Sequence, residues 1–533
     1  MSPSYQLLIS SLLHHPAANN PNQEIVYHDA RFTYTAFYKR VCQLANALRR
    51  MGVKAGDTVA VMDYDSNRYL ECYFAIPMLG AVLHTVNVRL SPEQILYTID
   101  HAEDDVIFVH EDFLPLLEQI RGRIDTVKQF VLLRDSQEEP QSLVPLFGEY
   151  EALLATEPTT FHFPTFDENT RATIFYTTGT TGLPKGVYFS HRQLVLHTLS
   201  TTATIGSARA QNFSQEDVYM PITPMFHVHA WGFPYVATFM GVKQVYPGKY
   251  IPERLVDLLV KEEVTFSHCV PTILHMLMQT KAYQEADLSR WKVVIGGASL
   301  PKALCLAALE KGIDIFTGYG MSETCPILTL AQLSPSLRTL PLDKQASLRA
   351  KTGRPIGLVS IRAVDEAMDE VSTHTPGELV VHAPWLTEAY FKDTKSSQAL
   401  WEGGMLHTGD VAYKDDAGFF KITDRSKDII KIGGEWVSSL ELEDIIAQHP
   451  LVKEVAVIGV VDEKWGERPL ALVVPKEAGH EGFEKELSRH TKEYIKKGVM
   501  AREGMLVKFA FVESIAKTSV GKIDKKTLRG LYM

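Results

Sequence analysis

Apolar and polar residues alternate along this chain in two different rhythms. Phe37, Val41, Leu44 and Leu48 share one face of a 3.6-residue repeat, and Gly52 follows as a stop, so a helix is predicted there. The run 59–62 predicts a strand, 66–79 a helix, 81–86 a strand, 91–101 a helix and 106–109 a strand. The apolar run 7–13 predicts a first packed helix rather than a membrane-surface contact. Helices alternating with strands up to about residue 420 imply α/β layers with mostly parallel sheets.

The texture changes near 424–431 (DRSKDIIK). Beyond it lie a helix (439–448), two apolar strands (452–461 and 469–474), a charged helix (483–496) and a last strand (506–512). Residues 1–424 are therefore assigned to a large N-terminal domain, 425–427 to a hinge and 428–533 to a small α+β domain. Segment 136–142 predicts a polar surface loop, and 332–351 a loop or short helix. No internal repeat is visible.

The length of 533 residues exceeds what one core accommodates. A net charge of −10 argues against a general nucleic-acid binder, which needs a basic face. Five scattered cysteines without a C-x-x-C pair predict a reducing, cytoplasmic setting and no structural zinc. The apolar runs are too short for a transmembrane segment. The N-terminus is not expected to be a signal peptide, nor the C-terminus a peroxisomal address.

Segment 176–186 reads YTTGTTGLPKG, after a strand-like run. Glycines let backbone N–H groups approach an anion, hydroxyls add donors and lysine adds charge, which suits nucleotide phosphates. No Walker A string fits it. In 318–324 (GYGMSET) an aromatic face suits a base, and Glu323 suits Mg²⁺. Segment 295–299 (IGGAS) is small enough for a flat ring to lie on its backbone. Asp410, in HTGD, is either a local cap or an acceptor for ribose hydroxyls, with Arg425 sharing that duty. Lys522, in KTSVGK, is either a solvated tail residue or an ammonium delivered to an α-phosphate and a carboxylate. Segment 224–231 (PMFHVHAW) reads as an aromatic wall of an apolar acyl pocket rather than a metal site.

Together these motifs resemble the adenylate-forming superfamily of acyl-CoA synthetases, peptide-synthetase adenylation domains and beetle luciferases, from about Phe32 to Arg529. The strings PMFHVHAW, RAKTGRPIG and KIGGEWVSSLELE are most similar to medium- and long-chain fatty acyl-CoA ligases and to methylmercaptopropionate-CoA ligases. The resemblance implies a large domain of α/β sheets with a distorted β-barrel and a small mobile α+β C-terminal domain. It implies ATP, Mg²⁺ and CoA, and a carboxylic acid converted to acyl-AMP and then to acyl-CoA, releasing AMP and pyrophosphate. By resemblance, Thr177, Thr178, Gly179, Thr180, Thr181, Gly182 and Lys185 hold phosphates, and Thr181 and Glu323 flank Mg²⁺. Gly297, Ala298, Tyr319 and Gly320 line the adenine, and Asp410 and Arg425 hold the ribose. Lys522 is the adenylation lysine, Lys427 the hinge, and Lys431 the lysine of the thioester-forming state. Gly433, Gly434 and Trp436 border the pantetheine path. His227 and Trp231 belong to the substrate pocket, His227 also being a candidate catalytic group and Trp231 matching a tunnel gate of some members. The two states explain themselves: adenylation needs a cation where thiolation needs room for a thiol, and rotating the small domain exchanges Lys522 for the Lys431–Trp436 loop.

Ala516 stands where the family often has proline, and the residues before His407 lack a common aromatic. His227 replaces the aspartate that pairs an amino-acid ammonium, which disfavours a peptide-synthetase domain, as does the expected lack of a carrier domain after Met533. A methylmercaptopropionate, short or aryl acid CoA ligase, and an acyl-AMP ligase serving a carrier protein, are the alternatives. A light-emitting oxygenase and a non-enzymatic regulatory protein are more distant rivals. A homodimer and a peripheral membrane contact are expected only by analogy.

Overall fold

The computed structural model describes residues 5–138, 140–177, 183–208, 210–432, 435–476, 482–496, 502–518 and 521–532. Among them, strands form four sheets. The seven-stranded sheet runs in the order Leu146–Glu149, Gln129–Leu133, Asp104–His110, Thr58–Met62, Val82–Thr85, Arg171–Thr177, Lys185–Ser190. Its pairs are parallel except the last, where Arg171–Thr177 turns back antiparallel onto Lys185–Ser190. A strand buried on both faces has no polar side to show, and every residue of Thr58–Met62 is buried. The nine-stranded sheet holds Val218–Ile222, Phe266–Cys269, Lys292–Ile295 and Asp314–Gly320 as parallel neighbours. Parallel neighbours deliver their C-terminal ends to one rim, where α/β sheets place ligands.

The region expected to be a distorted barrel is an antiparallel sheet of four strands, Ser360–Val364, Gly377–His382, Leu406–Lys414 and Phe420–Arg425. From Ile430 onward the chain builds a separate five-stranded sheet, centred on the pair Val452–Asp462 and Gly466–Pro475, with its own core around Ile430, Leu442, Val457 and Val473.

The helices predicted at 66–79 and 91–101 form as Asn67–Met78 and Pro92–Ala102. Ser66 caps the helix Asn67–Met78, and Ser91 with Gln94 makes a reciprocal capping box on Pro92–Ala102. The first helix is Ser10–Asn19, which begins three residues after the start of the apolar run 7–13, although Leu8 and Ile9 are already buried. The span 332–351 contains the short helix Leu342–Arg349. A hairpin (Ile430–Ile432 with Glu435–Val437) and the final helix Lys525–Tyr532 have no counterpart in the predicted elements. The five cysteines are buried and unpaired. No helix among the described residues is long and apolar enough to cross a membrane.

Candidate active site

The strand Asp314–Gly320 brings Tyr319 to the rim of the nine-stranded sheet. Its hydroxyl donates to Asp410 Oδ2 at 2.7 Å. Asp410 lies opposite Arg425 in the pairing of Leu406–Lys414 with Phe420–Arg425, and Arg425 Nε donates to its other oxygen at 3.2 Å. Burial, then the Asp410 charge, pushes the Tyr319 phenol well above its ordinary value, so it stays a neutral donor. Asp410 is therefore held by a phenol and a guanidinium, while Arg425 keeps 49% of its side chain exposed for a further partner.

Glycines beside Tyr319 are dictated by space. A Cβ on Gly320 would stand 1.6 Å from the Pro326 carbonyl oxygen. Gly297 has φ +75°, a left-handed conformation that side chains resist.

Glu323 follows on a 3₁₀ turn (Ser322–Thr324) and is buried. Tyr390 donates its hydroxyl to Glu323 Oε1 at 2.6 Å, and the Tyr390 ring faces Lys185 Nζ at 4.6 Å. The loop carrying Tyr390 is sewn in by Thr387 N–H to the Glu323 carbonyl (2.9 Å) and Phe391 N–H to the Gly186 carbonyl (2.8 Å). Lys185 itself pairs with Thr177 where the strands Arg171–Thr177 and Lys185–Ser190 meet. Thr178, Gly179, Thr180, Thr181 and Gly182 lie outside the described residues, as do Gly433 and Gly434. No cluster of three metal-binding side chains occurs among the described residues. One buried carboxylate still fits Mg²⁺, which is held by one or two carboxylates, substrate phosphates and its own waters.

Lys522 reaches the same place from the far end of the chain. Its loop is closed by Thr518 N–H to the Lys522 carbonyl (2.7 Å), Lys522 N–H to Thr518 Oγ1 (3.2 Å) and a bridge between Lys517 and Ile523. A Cβ on Gly297 would stand 3.3 Å from Lys522 Cε. Burial, then Arg425, lowers the ammonium to about 8, with Asp410 and Glu323 opposing the drop. Lys522, His227, Val228, Trp231, Gly297, Tyr319, Gly320 and Ile327 line one cavity of about 30 Å³.

The 227–231 side of that cavity is unusual backbone. Val228, His229, Ala230 and Trp231 take φ of 47°, 53°, 46° and 59°, followed by Gly232 at 74°. A left-handed turn costs a non-glycine residue about 1–2 kcal/mol. Neighbours anchor the backbone just before it. Asp65 accepts the Met225 N–H at 2.8 Å, Thr85 donates to the Phe226 carbonyl at 3.0 Å, and Tyr73 donates to the Met225 carbonyl. Trp231 is buried against His268, their ring centroids 5.1 Å apart. His229 is fully buried among Tyr73, Phe175 and Tyr235 with neither ring nitrogen paired among the described residues. Burial, then Lys522 and Arg89, lowers His227 to about 3, so its imidazole is neutral at pH 7.

Segments 295–299 and 318–324, the wall at 227–231 and a C-terminal lysine thus meet at one cavity, and a family model described as AMP-binding enzyme matches residues 13–391. The chain belongs to this family. A model for the AMP-binding enzyme C-terminal domain matches 441–522. Among curated relatives, a long-chain-fatty-acid–CoA ligase of Thermus thermophilus is 40% identical over 509 residues, 94% of this chain and 90% of that protein. A 3-methylmercaptopropionyl-CoA ligase of Ruegeria lacuscaerulensis is 39% identical over 535 residues, covering 98% and 97%. The fold is shared with a Mycobacterium tuberculosis fatty acyl CoA synthetase (TM-score 0.71, 25% identity, 99% and 98% covered). It is shared also with an anthranilate CoA ligase bound to anthranoyl-AMP (TM-score 0.86, 23% identity, 100% and 98% covered).

In this AMP-binding enzyme, Lys185, Gly297, Tyr319, Gly320, Glu323, Asp410, Arg425, His227, Trp231 and Lys522 gather around one site. Ala298 is exposed beside Gly297. Lys431 is exposed on the hairpin, its N–H donating to Glu467 at 2.8 Å, and does not line the cavity. Lys427 is exposed, and burial of its surroundings, then Arg425, lowers its ammonium. Sequence reasoning missed Tyr390, Asp65, Tyr73 and Thr85. None sits in a motif, and each acts through a partner at least 67 residues away.

Proposed function

We propose that this chain activates a medium- or long-chain fatty acid as acyl-AMP and transfers the acyl group to CoA. The AMP-forming acid–thiol ligase class is supported by family membership and by relatives named CoA ligases. The observation that carries the proposal is Lys522, half-buried, lining the cavity with Tyr319, His227 and Trp231. An ammonium there stabilises charge developing on an α-phosphate attacked by a carboxylate. Asp410 and Arg425 would orient the ribose, Tyr319 and Gly297 the base, and Lys185 with Thr177–Gly182 the leaving phosphates. Mg²⁺, held by Glu323 and Thr181, would neutralise phosphate charge. With its value lowered to about 3, the neutral His227 is a weak base at pH 7, and it would offer a ring N–H to the carboxylate. Residues 425–427, with Lys427, would be the hinge between domains 1–424 and 428–533, and Lys431, Gly433, Gly434 and Trp436 would serve the thioester step. Cytoplasmic residence, homodimerisation and a peripheral membrane contact belong to the same proposal; sedimentation and liposome flotation read the last two.

A second reading, a short acid such as methylmercaptopropionate, is favoured by the narrowness of the cavity. About 30 Å³ holds only a water or two, not a long chain, unless Trp231 turns aside. Pyrophosphate release with ATP and CoA, across acids from propionate and methylmercaptopropionate to palmitate and aryl acids, tests both. The fatty-acid reading expects the highest kcat/KM at eight carbons or more, and a maximum at a short or aryl acid overturns it.

A further inference from the structure

Three residues beyond Lys522, Lys525 opens the final helix Lys525–Tyr532 and is itself buried. Its Nζ donates to Ser439 Oγ at 2.6 Å and pairs with Glu443 Oε1 at 2.8 Å. Ser439 turns the other way: its N–H and its hydroxyl both donate to Asp424 Oδ2, at 2.6 and 2.7 Å. Asp424 is the neighbour of Arg425, whose Nε holds Asp410. A continuous path of charge-assisted hydrogen bonds therefore joins the C-terminal helix to the strand Phe420–Arg425.

The path is stiff at both ends. Between Lys522 and Lys525, Asp524 N–H donates to the Ala516 carbonyl at 2.9 Å, closing the base of the Lys522 loop. At the far end of the helix Arg529 pairs with Asp428. Burial raises both Asp424 and Glu443, and Lys525 is the leading charge pulling each back toward its ionised form. A buried cation facing one buried and one half-buried carboxylate is costly to remove, because the carboxylates lose their compensation.

We infer that Lys525 is a positioning residue, fixing the Lys522 loop through Ser439 and Asp424 against the strand that carries Arg425. Lys522 supplies the charge, and Lys525 keeps it in the cavity. The activity readout rests on the ligase reading above. If the small domain turns between steps, the Asp424–Ser439 contact spans the turning point, so Lys525 favours the adenylation arrangement alone.

The test uses full-length K525M, K525R and wild type. ATP–pyrophosphate exchange reads acyl-AMP formation, and thioester formation from supplied acyl-AMP and CoA reads the second step. K525M is expected to lose exchange about tenfold or more while the second step stays within about twofold, and K525R to recover exchange. Equal loss of both steps, or exchange like wild type, overturns the inference. If K525M fails to fold, S439A breaks the same path and is judged by the same split. A second readout is trypsin cleavage after Lys427, followed by mass spectrometry, which K525M should accelerate several-fold. If wild type releases no pyrophosphate with any acid, the ligase reading fails by itself. Cleavage then decides, and an unchanged rate in K525M overturns the role of Lys525.

Discussion

At the Asp410 end of the cavity, contacts join residues on paired strands, whereas the wall at 225–231 is tied to a helix, a loop and a strand from much earlier in the chain. Asp410 and Arg425 face each other across one antiparallel pair, and Tyr319 meets them from a strand rim. Segment 225–231 instead has its backbone tied to Asp65, Tyr73 and Thr85, more than 140 residues earlier in the chain, and holds four non-glycine residues in the left-handed region. The first end is preorganised by hydrogen bonds to the Asp410 carboxylate, with Cys325 at φ 74° as its one left-handed non-glycine residue beside Glu323. The second keeps an energetically expensive turn, with its neighbours anchoring the backbone just before it. Strain of that kind marks a place that can rearrange, so chemistry is expected to be fixed at the first end and acid selectivity at the second.

The largest effect expected is from Lys522→Ala. Removing a charge aimed at the reacting phosphate costs about a hundredfold to a thousandfold in acyl-AMP formation. Thioester formation from supplied acyl-AMP should be spared. Similar loss in both half-reactions would break the assignment of Lys522 to the first step. Next in size, Asp410→Ala removes an acceptor of two charge-assisted or phenolic bonds. At about 1.5–3 kcal/mol for a hydrogen bond to a charged group, kcat/KM for ATP should fall about tenfold to a hundredfold. The ranking of acids should not change, and a reordered ranking would show that the two ends are not separable.

Trp231→Ala tests the other end. It should shift kcat/KM between short and long acids by about tenfold while leaving KM for ATP near wild type. A change in ATP binding without a change in acid preference would reverse the comparison.

This division also governs how much the sequence revealed. Segments 176–186 and 318–324 and the HTGD and KTSVGK strings carry their chemistry in consecutive residues, so backbone proximity is written into them. The helices of 34–110 were legible because burial on one face imposes a period, and strands buried on both faces, as Thr58–Met62, because they read as short apolar runs. Tyr390 was illegible: it completes the Lys185–Glu323 corner only because the loop 384–391 folds over the strands Arg171–Thr177 and Lys185–Ser190. Asp65 was illegible for the same reason. A lone aspartate after a strand reads as a cap, and its partner Met225 is 160 positions away. The left-handed turn itself leaves no trace in VHAW, because four side chains that dislike that conformation predict something else.

The smallest effect belongs to Asp65→Asn, and it asks whether the wall at 225–231 is held by charge or by shape. Asp65 accepts from Met225 N–H at 2.8 Å and from the Tyr250 hydroxyl at 2.5 Å. Asparagine keeps an acceptor for Met225 and can donate to Tyr250, so kcat/KM for the acid should fall only about threefold. The pH response separates the cases. Burial raises the Asp65 carboxyl from 3.8 to about 7, with Tyr250, the Met225 N–H and Arg89 opposing and Asp63 adding to the rise. A raised carboxyl means that the folded chain keeps a proton that the unfolded chain releases. Its contribution is therefore full below about pH 4, shrinks as pH climbs toward 7 and is gone above that. Wild type should lose thermal stability between pH 5 and pH 8 through this group, and D65N should lose less over the same interval. The measurement is the unfolding midpoint of both proteins at the two pH values. Parallel losses would mean that Asp65 stays ionised in the folded chain, and that the turn is pinned by a charge rather than by a neutral hydrogen-bonded acid.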